Sequence, residues 1–207
     1  MSICSGSVSN PVPTDGNSLP AELEPLEFVS PGLFSIHNPS VRRPAPSGPV
    51  CTQQLQGQNE LKQTALQLFR QLGRHIRLYS TDFEPWLYSH TDMANACKDF
   101  LLAHENNRLH ILLRDSRRLT EDSHRLLPLI ERISSRAEIR LTHPDYEIHP
   151  GCWLTRDETA LLLRQRPDPY QGQLFLGQPA RARPYNEQFD AMWALARPDI
   201  NLRRMTL

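Results

Sequence analysis

Residues 108–141, RLHILLRDSRRLTEDSHRLLPLIERISSRAEIRL, limit what this chain can fold into more than any other stretch. Leu109, Ile111, Leu112 and Leu113 form a short apolar run of the kind that suits a strand buried on both faces of a sheet. Arg114 and Asp115 mark its carboxyl end. Thr120 is placed as a helix N-cap, with Glu121 and Asp122 in the first turn against the positive end of the helix dipole. Leu126, Leu127, Leu129, Ile130 and Ile133 then recur at three- and four-residue spacing, which predicts one covered helical face. Pro128 conflicts with that helix. Inside a helix it costs about 3 kcal/mol unless the helix starts late or kinks, so a distortion is expected there. Ser134 and Ser135 break the pattern, and 137–141 reads as the next strand, completing a βαβ unit.

The alternation continues upstream. Leu61, Ala65, Leu68, Phe69 and Leu72 share one face of a helix over 59–72, with Gly73 placed as its C′ residue. Ile76, Leu78 and Tyr79 give a strand running to Ser80, and Thr81, Asp82, Glu84 and Pro85 make a turn. A helix capped by Ser89 or Thr91 then runs to about His104, with Met93, Ala96, Cys97, Phe100 and Leu101 inward. Downstream the pattern changes. Residues 143–151 read as a loop, and 152–155 and 159–163 as a hairpin around Arg156, Asp157 and Glu158. Residues 173–176 read as another strand. Helical spacing returns over 181–196 through Tyr185, Phe189, Met192, Trp193 and Ala196, with Pro184 in the first turn, and NLRRMTL reads as a closing strand. The class predicted is α/β, with a mixed, mostly parallel sheet flanked by helices.

Composition sets the limits of that domain. Half of the 18 prolines fall before residue 50, among Ser, Gly and Asn and without an apolar period. Residues 1–57 therefore read as a disordered arm, whose only apolar cluster is Leu23, Leu26, Phe28, Leu33, Phe34 and Ile36. Residues 58–207 hold the ordered domain. The formal net charge is zero. The molecule as a whole has no electrostatic bias toward nucleic acid or an anionic membrane, and neither is expected as a partner. Lys62 and Lys98 are the only lysines, so clustered arginines are the candidate anion contacts, and an arginine face from Arg114 to Arg140 is the one feature that would bind nucleic acid weakly. Cys4, Cys51, Cys97 and Cys152 are scattered, with no histidine at metal-ligand spacing, which points to free thiols in a reducing cytoplasm and to no metal site. The amino terminus lacks the basic and apolar regions of a signal peptide, and no stretch approaches membrane-spanning length, so no membrane insertion is expected.

Candidate site residues gather where strands end. Asp82 and Asp115 both fall just past the carboxyl ends of strands, the rim at which open α/β sheets bind ligands. Two carboxylates there would serve as an acid–base pair or hold a divalent cation. Arg114, and His124 followed by Arg125, would orient an anionic ligand beside Asp115. Each also has a structural role open to it: Asp82 as a turn cap, Asp115 as a partner of Arg117 or Arg118, His124 as a packed side chain. No phosphate loop, strand-linked glycine fingerprint or nucleophile elbow is present, and no cofactor is expected.

The order IRLYSTD, RLHILLRD, SHRLLPLIERISSRAEIRL, CWLTRDETALLLR and then F-x-x-x-W before LRRM resembles an uncharacterised bacterial domain family that is similar to one half of the phospholipase D superfamily fold. The resemblance covers about residue 58 to the end. It implies an active site built on H-x-K-x4-D, in which a histidine attacks phosphorus, a lysine neutralises the phosphoryl oxygens and a carboxylate supports the motif. The matching stretch is HPGCWLTRDETALLLRQ. Asp157 falls at the acidic position, but Gly151 stands two residues after His149 where lysine is needed, and His149 is one residue too far from Asp157. The expectation is a degenerate half domain that binds rather than cleaves. The alternative is a hydrolase, a phosphodiesterase or nuclease acting on an anionic substrate. Superfamily halves pair, so a homodimer or a protein partner is expected, through the Trp193 helix or the sheet edge.

Overall fold

The computed structural model describes residues 49–121, 124–144, 151–165, 168 and 170–198. Its elements are β1 (Cys51–Gln56), α1 (Gln58–Arg70), β2 (His75–Ser80), α2 (Pro85–Tyr88), α3 (Thr91–Ala103), β3 (Arg108–Leu113), α4 (Arg117–Glu121), α5 (Leu127–Arg132), β4 (Ala137–Leu141), β5 (Gly151–Arg156), β6 (Ala160–Gln165), β7 (Gln171–Leu176), α6 (Pro179–Leu195) and β8 (Arg197–Pro198). The eight strands form one sheet in the order β1-β7-β6-β5-β2-β3-β4-β8. It is α/β with a mixed sheet flanked by helices, as the alternation of elements predicts.

The expectation of a mostly parallel sheet is corrected. Among the described residues only β2/β3 and β3/β4 run parallel. The β5–β6–β7 meander returns antiparallel beside β2, β1 closes one edge antiparallel to β7, and β8 does so at the other. β5 and β6 pair as the hairpin expected of them; the parallel expectation comes from the alternation of helices and strands over 59–141, which does not extend to the strands that follow.

Two apolar layers cover the sheet. Leu61, Leu68 and Phe69 of α1, Met93 and Phe100 of α3, Leu119 of α4 and Ile130 of α5 pack over Leu78, Ile111, Leu154 and Leu162. On the opposite face Phe189 and Met192 of α6 cover Tyr79, Leu112, Trp153 and Leu163. Pro128 has its expected consequence. In place of one helix from Thr120 there are two short ones, and Pro128 sits in the first turn of the second, where its missing amide is no loss. Thr120 accordingly lies inside α4. Pro184, expected in a first turn, stands within α6, which begins five residues earlier. His90 caps α3, its Nδ1 accepting from the Met93 amide at 3.2 Å, in the place expected for Ser89 or Thr91. The end of the stretch read as a disordered arm, residues 51–56, forms β1, registered with β7 through Leu55, which is buried. The rest of that stretch before residue 49, and the closing strand expected over 201–207, lie outside the described residues.

Candidate functional site

The turn after β2 is built from two residues with left-handed backbone, Phe83 (φ 59°) and Glu84 (φ 30°). Such conformations cost roughly 1–3 kcal/mol each and persist only where the surroundings over-determine them. Here both side chains are fixed. The Phe83 ring stacks on His124 at 4.3 Å and on Tyr88 at 5.4 Å. Glu84 turns into the core, where its Oε1 accepts from Arg164 Nη1 at 2.7 Å and its Oε2 accepts from Arg164 Nη2 and from Ser80 Oγ. Arg164 follows Ala160 and Leu162 on the inward face of β6, so a guanidinium sits where a strand of this pattern would place a third apolar residue; only 4 % of it is exposed. Burial alone would lower its pKa, but the Glu84 carboxylate more than offsets this and the value is raised, leaving the charge firmly in place. Trp86 lies over the same guanidinium at 5.7 Å.

Cys152 is the direct cross-strand neighbour of Arg164. Burial, and then the nearby Glu84 carboxylate, raise its thiol pKa, so it stays protonated at neutral pH. Its Sγ lies 3.9 Å from Thr81 Oγ1. Tyr88 is raised as well, by burial first. Ser80, Glu84, Tyr88, Cys152 and Arg164 thus form a buried polar cluster at the carboxyl end of β2. In the sequence Ser80 ends a strand, Glu84 lies in a turn and Cys152 is one of the scattered thiols, and none of the five stands out as a site residue. The available signal was Arg164 itself, a cation at an inward position of an apolar strand, which requires a buried counter-charge.

The structure brings the predicted rim residues near one another but gives most of them structural work. Asp82 accepts from Arg118 Nη1 at 2.9 Å and from the Glu84 amide at 3.1 Å. Asp115 accepts from the Arg117 amide at 2.9 Å, and its own amide donates to Thr81 O at 2.8 Å, tying the β3 end to the β2 end. His124 is buried; its Nδ1 accepts from the Leu126 amide, which leaves Nε2 to donate to Phe83 O at 3.3 Å. Its ring also packs face to face on Phe83. Arg125 Nη1 donates to Thr91 Oγ1 at 3.1 Å, joining the loop before α5 to the start of α3. Arg114 stands apart from these. Its amide is held by Ser80 O and Thr81 O, while its Nε is buried without a hydrogen-bond partner.

Asp157 is at the opposite end of the sheet. β5 runs antiparallel to β2, so the hairpin turn lies beside His75, at the amino end of β2 and roughly 17 Å along the strand from Ser80. Its carboxylate accepts from the backbone amides of Arg74 (3.1 Å to each oxygen) and His75 (2.8 Å), and its φ is 51°. A histidine and an arginine therefore do adjoin this carboxylate, but through main-chain amides. Gly73, expected as a helix C′ residue, is small for a different reason: a Cβ there would come within 2.8 Å of Asp157 Oδ2. Counted back from Asp157, the motif's lysine position is Cys152 and its histidine position is Pro150. Pro150 and His149 lie outside the described residues.

The arginines from 114 to 140 do not form one face. Arg118 pairs with Asp82, Arg136 donates to Leu101 O, and Arg140 pairs with Glu138 and lies 4.4 Å over Trp193, whose ring also stacks on His110 at 4.4 Å. Among the described residues no group of three or more His, Cys, Asp or Glu side chains is placed to hold a metal ion, and no helix is long and apolar enough to cross a membrane.

The sequence profile of the family described as Domain of unknown function (DUF7931) matches residues 57–205. No curated protein matches the sequence. Among solved structures the fold is similar to that of TrmBL2, an archaeal chromatin protein whose structure shows a novel mode of DNA binding (TM-score 0.53, 12 % identity, 72 % of this chain). The match spans about half, 54 %, of that protein. It is equally similar to Nuc from Salmonella typhimurium, a phospholipase D family member (TM-score 0.53, 10 % identity, 73 % of this chain and 99 % of that one). At such identities the likeness is one of fold, and the fold is phospholipase-D-like.

Proposed function

The chain belongs to that domain family of unknown function, and from this premise we propose that it is a non-catalytic binding or protein-interaction module on a degenerate phospholipase-D-like scaffold. The observation that carries the reading is Cys152 in the position of the motif's lysine, together with an Arg164 whose charge is already matched by Glu84. Phosphodiester cleavage needs a cation free to follow the charge that builds on the phosphoryl oxygens. Arg164 would have to surrender Glu84 first. Separating a buried pair costs about 3–5 kcal/mol, which would weaken phosphate binding by roughly 10²- to 10⁴-fold. Binding is then left to the rim, where neither Arg114 nor Arg125 has a carboxylate partner among the described residues and Arg125 is held by Thr91. Free thiols at Cys51, Cys97 and Cys152 support a cytoplasmic setting.

The test is a panel of phosphodiesters, nucleic acids included, assayed with and without divalent metal. No hydrolysis is expected from the wild type. Hydrolysis that disappears in a still-folded His124→Ala variant would instead establish the hydrolase alternative.

The proposal includes a second copy or a protein as partner. Trp193 is engaged by Arg140 and His110, so the sheet edge is the better contact. β1 has no strand on its outer side among the described residues and carries neither charge nor proline, the usual guards of an edge. Size-exclusion chromatography with light scattering should give the mass of a dimer at high concentration; a monomer throughout counts against self-association.

A further inference from the structure

We infer that the carboxyl ends of β3 and β4 form a binding site for a small oxyanion, held by Arg114 and Thr142. The inference deepens the binding reading above and rests on it.

Two polar groups at this place lack partners. The Arg114 Nε is buried without a hydrogen bond, and so is the hydroxyl of Thr142, a residue only 9 % exposed. Buried polar atoms are almost always satisfied, and each exception calls for an explanation such as a bound ion. These two are adjacent by construction. β3 and β4 are parallel and registered through Leu113↔Leu141, and the Thr142 amide donates to Leu113 O at 2.9 Å. Continuing the register by one sets Arg114 opposite Thr142. Alternation puts both on the face of Leu112 and Arg140, away from the Glu84–Arg164 cluster, so the site is separate from the one on which the phospholipase-D-like motif would act.

The chemistry selects an oxyanion. A guanidinium presents paired N–H groups suited to two oxygens of one carboxylate or phosphate, and a threonine hydroxyl adds a third donor. The nearest acid in sequence, Asp115, is turned to Arg117, accepting from its amide and lying 3.7 Å from its Nε. The backbone of Arg114 is fixed by its bifurcated donation to Ser80 O and Thr81 O, at 3.2 Å each. The guanidinium therefore springs from a rigid strand end, which limits the ordering cost of binding.

The test uses the full chain, with thermal unfolding followed in sodium phosphate, sodium acetate and sodium chloride at matched ionic strength. Phosphate or acetate should raise the midpoint by several degrees at about one hundred times its Kd, and chloride should not. Phosphate alone assigns a phosphoryl ligand, acetate alone a carboxylate. Arg114→Gln should abolish the shift. Thr142→Val keeps the shape and removes only the hydroxyl. It should leave the midpoint without anion unchanged or higher, while weakening the anion at least about tenfold. No shift with either anion, an equal shift in chloride, or a shift that survives both substitutions would overturn the site. So would a Thr142→Val midpoint that falls in the absence of anion, since the hydroxyl would then have a partner. Failure here is distinct from failure of the scaffold reading, which is decided by hydrolysis.

Discussion

Arg164→Met should lower the unfolding free energy by about 3–5 kcal/mol, a fall in midpoint of roughly 6–20 °C for a domain of this size. Methionine fills much the same volume and suits the apolar face it would share with Ala160 and Leu162. The loss comes from what is left behind. Glu84 would keep a carboxylate inside the core with Ser80 Oγ as its remaining donor, on a left-handed backbone that the ion pair helps to hold. Glu84→Gln should cost less, because the amide oxygen can still accept from Arg164, although the cation then lacks a counter-charge. The decisive measurement is the double variant Glu84→Gln/Arg164→Met in a urea unfolding series. Replacing both partners removes both buried charges, so the double should be more stable than the sum of the two single losses predicts. Strict additivity would mean that the two side chains do not depend on each other, and the account of the buried cluster would fail. An Arg164→Met variant as stable as wild type would do the same.

That pair also marks the limit of what could be read from the sequence. The helices α1 and α3, the strands β2 to β4 and the β5–β6 hairpin follow from local spacing, because one face of each is buried along its whole length. Met93, Ala96, Cys97, Phe100 and Leu101 all turn inward as the periodicity requires. Strand order is a non-local property. Nothing in CWLTR says that it lies antiparallel to IRLYS, about 75 residues earlier, rather than parallel to a neighbour. β1 was missed because CTQQLQ has one buried residue, Leu55, and an edge strand with one inward side chain has no period to detect. The site shows the same division. Asp82, Arg114 and Asp115 were placed at the rim from strand ends alone. The buried cluster was invisible because Glu84 and Arg164 are 80 residues apart and meet only through the sheet.

Asp157→Ala should destabilise the domain by about 2–4 kcal/mol, and the ordering of variants at this position separates a structural carboxylate from a chemical one. The side chain accepts from the Arg74 and His75 amides at 2.8–3.1 Å. Hydrogen bonds to a charged acceptor are worth about 1.5–3 kcal/mol, and because these amides are exposed and can turn to water the lower end applies. Alanine at φ 51° adds a further penalty of about 1–2 kcal/mol, which glycine avoids and asparagine largely avoids. Asp157→Asn should therefore be mildest, since it keeps an acceptor and tolerates the backbone. Asp157→Gly should be intermediate, losing the acceptor but not the conformation, and Asp157→Ala should be worst. The Asn186 side chain, which donates to Asp157 O at 2.6 Å and accepts from Thr155 Oγ1 at 2.6 Å, holds the turn from the other side and keeps each variant in the same register. Urea unfolding of the three variants gives the order directly. If Asp157 instead supported a reacting group, Asp157→Asn would be the variant with unchanged stability and lost turnover. A midpoint equal to wild type in Asp157→Ala would mean that the turn does not need its carboxylate, and the position would have to be reconsidered as part of a site.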